Sequence, residues 1–73
     1  MSILAQRLKQ ARLEKELAQW ELSDLSGVAR YTISKCERDL TEPHFATIVL
    51  LAKSLDVSLD WLSGLSDERG DKR

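Results

Sequence analysis

Gln19-Trp20-Glu21-Leu22-Ser23-Asp24-Leu25-Ser26-Gly27-Val28-Ala29-Arg30-Tyr31-Thr32-Ile33-Ser34-Lys35-Cys36-Glu37-Arg38 is the stretch whose reading decides the fold. Leu22 and Leu25 stand three apart, and Gly27 follows Ser26 where that spacing breaks. A glycine just past a periodic run supplies the left-handed conformation that closes a helix. The spacing therefore predicts a short helix over 19–26. Helical spacing resumes over 29–38, with Ile33 and Cys36 on one side and Arg30, Tyr31, Ser34 and Lys35 on the other. Two helices joined by so tight a turn cross closely. That crossing asks for a small residue at Ser23, glycine at Gly27, and apolar residues at Leu22, Val28, Ile33 and Cys36.

Those requirements are the ones a helix-turn-helix unit makes, and all are met. Upstream, Leu4, Leu8 and Ala11, with Arg12 beside them, share one face of a helix over 3–15 that Ser2 is placed to cap. Downstream, 39–43 is a loop ending in Pro43. Phe45, Ile48, Leu51, Ala52 and Leu55 then form the apolar face of a fourth helix ending near Asp56. His44 stands at the start of that helix. Ser58 caps a last short helix carrying Leu59, Trp61, Leu62 and Leu65, with Gly64 as its stop. No strand-like alternation appears. The expectation is an all-α domain of five short helices over 3–65, followed by a polar, disordered tail over 66–73.

Composition bounds the function. A chain of 73 residues, 42% apolar and 32% charged, carries one small domain. One cysteine and one histidine cannot build a disulfide framework or a four-ligand zinc site. Ile48-Val49-Leu50-Leu51-Ala52, the longest apolar run, is far below the roughly 20 residues that span a bilayer. Met1-Ser2-Ile3-Leu4-Ala5-Gln6-Arg7 lacks the basic and apolar regions of a secretory leader. A soluble, reducing compartment is expected. No Ser/His/Asp or Cys/His set and no phosphate loop points to catalysis, so no catalytic residue, metal, cofactor or small-molecule ligand is expected. The net charge of −1, from 11 Lys+Arg and 12 Asp+Glu, argues at first against nucleic acid. Its placement argues otherwise: Glu37 aside, 29–38 holds Arg30, Lys35 and Arg38 and no acid.

The match extends well beyond the two helices. Gln6-Arg7-Leu8-Lys9-Gln10-Ala11-Arg12, Ala18-Gln19-Trp20-Glu21-Leu22, Gly27-Val28, Thr32-Ile33-Ser34, Glu37-Arg38, Pro43, Leu51-Ala52-Lys53-Ser54-Leu55 and Val57-Ser58-Leu59-Asp60-Trp61-Leu62 follow one another in a telling order and spacing. On these segments the chain resembles the phage-repressor (Cro/cI-type, XRE) family of helix-turn-helix DNA-binding domains. The resemblance implies a five-helix lambda-repressor-like fold whose second motif helix lies in the major groove of double-stranded DNA. It places Ala29, Arg30, Tyr31, Ser34, Lys35 and Arg38 at the DNA. Arg30 is the better donor to a guanine edge, because its planar fork matches two acceptors and the Lys35 ammonium does not. Tyr31 is placed for a thymine methyl or a phosphate. Gln19 would meet phosphate or brace the recognition helix, and Trp20 would flank the DNA backbone. Arg12 and Glu37 match a buried ion pair that joins the first helix to the recognition helix. Trp61 matches a core position, and Cys36 stands where the family usually has Ile or Leu.

The resemblance implies a cytoplasmic, prokaryotic or phage-encoded regulator associated with the nucleoid. It would be a repressor binding a pseudo-palindromic operator as a homodimer, with the region after helix four and helix five as the contact surface. The sequence departs from the family pattern at Glu16, Asp39 and Asp56, where glycine often ends a helix. It departs again at Ala18 and Ala29, where Ser or Thr normally caps, and at the acidic loop Asp39-Leu40-Thr41-Glu42. These departures imply few phosphate contacts, a shallow salt slope and reliance on dimerisation. They also motivate an alternative: an antitoxin-like or partner-dependent module of the same fold with weak DNA binding.

Overall fold

The computed structural model describes residues 2–69. Their elements are α1 (Ile3–Glu14), α2 (Gln19–Ser26), α3 (Arg30–Glu37), α4 (Phe45–Leu55) and α5 (Leu59–Ser63), with no strand among the described residues. The helix starts follow from local chemistry. Ser2 Oγ accepts from the Ala5 N–H at 3.1 Å, and Ser58 Oγ from the Trp61 N–H at 2.9 Å. Ala18 and Ala29, the N-caps of α2 and α3, have no side-chain acceptor to offer. At α2 the other half of a capping box remains: Glu21 Oε1 accepts from the Ala18 N–H at 2.7 Å.

The helix ends explain the departures at Glu16, Asp39 and Asp56. All three adopt left-handed backbone, with φ of 59°, 61° and 59°. Each closes its helix with the same pair of backbone bonds. Leu17 N–H reaches Arg12 C=O and Glu16 N–H reaches Leu13 C=O. Leu40 reaches Lys35 and Asp39 reaches Cys36; Val57 reaches Ala52 and Asp56 reaches Lys53. The helix-closing geometry is therefore kept without glycine.

One core joins the helices. Leu8, Leu22, Ile33, Leu51, Leu55 and Leu62 are fully enclosed, and Ala11, Val28, Cys36, Ala52 and Trp61 complete the cluster. Two residues assigned to apolar faces do not join it. Phe45 is 69% exposed and Leu25 62% exposed, because each stands on the outer flank of its helix, beyond what five short helices can cover. Leu65, just past α5, is likewise exposed.

Within the polar tail expected over 66–73, residues 66–69 contact α1 and α5. Arg7 Nη1 donates to the carbonyls of Trp61 and Ser66, each at 2.7 Å, and Nη2 to Asp67 at 2.9 Å. The Arg69 guanidinium lies 4.1 Å from the Trp61 ring centroid and donates to Glu14 at 2.6 Å. The Ser58 N–H reaches the Arg69 carbonyl at 2.6 Å. Residues 66–69 thus fold back on α1 and α5, held by a guanidinium on an indole face. The rest of the expected tail, 70–73, lies outside the described residues.

Candidate nucleic-acid interface

The turn between α2 and α3 sets the geometry of the site. Gly27, at φ 79°, accepts the left-handed turn, and its N–H reaches the Ser23 carbonyl at 2.9 Å. Ser23 Oγ donates to the Val28 carbonyl at 2.7 Å, and the Val28 N–H donates to Ser26 Oγ at 3.1 Å. These bonds satisfy the backbone of a turn that is partly buried, so the crossing is fixed. Leu22, Val28, Ile33 and Cys36 are all buried at that crossing.

The back of α3 is anchored to α1. Arg12 Nε donates to Glu37 Oε2 at 2.6 Å and Arg12 Nη2 to Oε1 at 2.9 Å, both groups buried. The remaining nitrogen, Nη1, donates to the Leu17 carbonyl at 2.7 Å. The hydrogen bonds to Glu37 raise the Arg12 guanidinium above its ordinary value, ahead of the opposing effect of burial. Burial pushes the Cys36 thiol up, with the Glu37 charge adding to it.

The front of α3 is open. Arg30 and Tyr31 in its first turn are exposed, Ser34 and Lys35 are half-buried one turn on, and Arg38 at the C-cap is exposed. Ala29, the N-cap, is exposed beside Arg30. Arg38 Nε donates to the Ser34 carbonyl at 3.4 Å, and the Lys35 ammonium lies 5.1 Å from the Tyr31 ring centroid. Among the described residues Arg30, Lys35 and Arg38 take part in no salt bridge. The acid within α3, Glu37, is turned into the core. The outer face of α3 is therefore cationic despite the net charge.

Two expected site residues of α2 stand apart from that face in different ways. Gln19 is half-buried, and its Nε2 donates to Glu37 Oε1 at 3.1 Å, so it braces the anchor. Trp20 is 55% exposed. Glu42, placed near the groove edge by the sequence, lines an open cleft with Tyr31 and Lys35 between α3 and the start of α4; sequence reasoning missed that Thr32 and His44 line it too. Thr32 is on α3 itself, and the loop before α4 brings His44 beside it; loops carry no periodicity to read.

Comparison with known proteins agrees with this arrangement. The model of the helix-turn-helix family matches residues 8–62. The uncharacterised helix-turn-helix-type transcriptional regulator YqaE of Bacillus subtilis is 34% identical over 68 residues, which is 92% of this chain and 59% of that protein. The chain thus spans under two thirds of that relative's length. The N-terminal DNA-binding domain of SinR from Bacillus subtilis superposes with a TM-score of 0.79 at 36% identity, covering 82% of this chain and 88% of the other. The P22 c2 repressor, in complex with a synthetic operator, superposes with a TM-score of 0.78 at 31% identity, covering 85% and 94%. Five helices, a glycine-turned crossing and these matches make the chain a member of the helix-turn-helix family of the phage-repressor (Cro/cI, XRE) type, a family of regulators and not of enzymes.

Proposed function

We propose that this chain is a sequence-specific DNA-binding transcription regulator, a repressor that reads a pseudo-palindromic operator as a homodimer in the cytoplasm of its host. The observation that carries the reading is the face of α3. Arg30, Lys35 and Arg38 stand there without a salt-bridge partner among the described residues, while the helix is anchored behind by Arg12 and Glu37. In the proposed complex α3 enters the major groove of double-stranded DNA. Arg30 donates to a guanine edge, worth about 1–3 kcal/mol of discrimination for a bidentate pair. Lys35 and Arg38 serve base edge or phosphate, Ser34 and Ala29 allow close approach, and Trp20 flanks the backbone. Gln19 acts through Glu37. Two such helices read half-sites about 34 Å apart, the chains meeting through the region after α4 and α5, beside which Leu50 on α4 and Leu65 past α5 are exposed.

Selection from random duplex DNA at two salt concentrations tests this. An enriched palindrome is expected, together with loss of preference at one position of each half-site in Arg30→Ala. Unchanged binding in both Arg30→Ala and Lys35→Ala overturns the docking. A second reading, a module that captures a protein partner and binds DNA weakly, is favoured by the exposed acids Asp39 and Glu42 at the end of α3. It calls for no enriched sequence in the same selection.

A further inference from the structure

Lys35 differs from the other lysines of the described residues. Lys9, Lys15 and Lys53 are exposed, whereas Lys35 is half-buried. Its neighbour one helical turn back is Tyr31, itself 70% exposed. Residues four apart on a helix are neighbours on its surface, and the Lys35 Nζ lies 5.1 Å from the Tyr31 ring centroid. The ring's negative face attracts the ammonium. The lysine also borders the open cleft lined by Thr41, Glu42 and His44, and among the described residues its ammonium takes part in no salt bridge.

We propose that Tyr31 is a positioning residue: it holds the Lys35 ammonium for its contact with DNA, and the two side chains act as one unit. A lysine carries a long stem with many rotamers, and a bond to DNA must be won against that freedom. A ring already in place removes part of the loss before DNA arrives. Preorganisation of this kind raises affinity without adding a contact. The proposal rests on the groove-binding reading above, and it assigns Tyr31 a role through Lys35 instead of a separate contact with a thymine methyl.

The test is a double-mutant cycle on the 73-residue chain, with the duplex that the unmodified protein selects as probe. Tyr31→Leu keeps an apolar, helix-compatible side chain at an exposed position, so the fold is retained. It is expected to weaken binding about two- to fivefold, the scale of an exposed cation–π contact. Tyr31→Phe is expected to restore it, since the ring and not the hydroxyl holds the ammonium. In a Lys35→Ala background Tyr31→Leu should change nothing. Proton NMR of the free protein gives a readout that needs no DNA: the Lys35 Hε protons should lie upfield of those of Lys9 and return in Tyr31→Leu.

An equal loss in both Lys35 backgrounds overturns the proposal, because the ring then acts alone. So does failure of Tyr31→Phe to restore binding, or the absence of an upfield shift. A chain that selects no duplex removes the groove reading and this role with it. That outcome is distinct from an intact selection with additive variants, which removes the positioning role alone.

Discussion

Arg12 and Glu37 meet as a two-point pair inside the core, at 2.6 and 2.9 Å, and Gln19 adds a third bond to the same carboxylate at 3.1 Å. These residues come from α1, α3 and α2, so one buried carboxylate ties the three helices together. The orientation of α3 depends on it. Deep burial makes the arrangement sensitive to losing one member, since a charge taken out of water needs its partner.

Arg12→Met should therefore destabilise the fold by about 3–5 kcal/mol, because it strands the Glu37 carboxylate. The double variant Arg12→Met with Glu37→Leu should recover most of that loss, since it leaves no orphaned charge. Urea unfolding of the three proteins checks it. A double variant no more stable than Arg12→Met would mean that the bonds themselves, and not the stranded charge, carry the effect.

Glu16 is a glutamate in left-handed backbone at φ 59°, a conformation costing a non-glycine residue about 1–2 kcal/mol. Glu16→Gly removes that strain but adds disorder to the unfolded chain, worth about 0.5–1 kcal/mol. A net stabilisation of about 0.5–1 kcal/mol is expected, seen as a rise of several degrees in Tm. Asp39→Gly should gain less. Its side chain accepts from the Ser2 N–H at 3.0 Å, and glycine loses that bond.

The crossing of α2 and α3 was legible because Gly27, Ser23 and four apolar residues each answer a local requirement. The cationic face of α3 was legible from helical register. Phe45 was misplaced because spacing reveals which residues share a face, not how far the neighbouring helices reach over it. The docking of 66–69 was illegible for another reason. Arg69 finds Trp61 and Glu14 through folding in space, and a polar segment without periodicity announces no such partner. Gln19 carries two readings from the sequence, phosphate contact or brace, because the partner its Nε2 reaches, Glu37 Oε1 at 3.1 Å, is eighteen residues away.

Cys36 offers a probe of the core. Burial pushes its thiol above the ordinary range near 8.5. A pKa higher in the folded state than in the unfolded one means the folded state holds its proton longer. The resulting stability is complete below about pH 8.5 and declines as pH rises beyond it. Stability measured from pH 7 to pH 10 should fall more in the native chain than in Cys36→Val. At pH 8 an aromatic disulfide reagent should label Cys36 only as fast as the chain opens. Rapid labelling without unfolding would show the thiol to be reachable.

Glu42 gives the sharpest test of how charge governs the interface. It is exposed and shares an open cleft with Tyr31 and Lys35, so its carboxylate stands at the edge of the proposed groove contact. Glu42→Lys should tighten binding to the selected duplex. It should also steepen the dependence of log Kd on log salt by roughly 0.9 for each phosphate newly neutralised. Asp60→Lys makes the same change in net charge on α5, where the acid is also exposed; its self-association is measured alongside, because α5 borders the proposed contact between chains. Long-range attraction from that site is screened within about 8–10 Å at ordinary salt, so its slope should stay close to that of the unmodified chain. Equal slopes for the two variants would mean that bulk charge, and not the placement of Glu42 beside α3, sets the affinity.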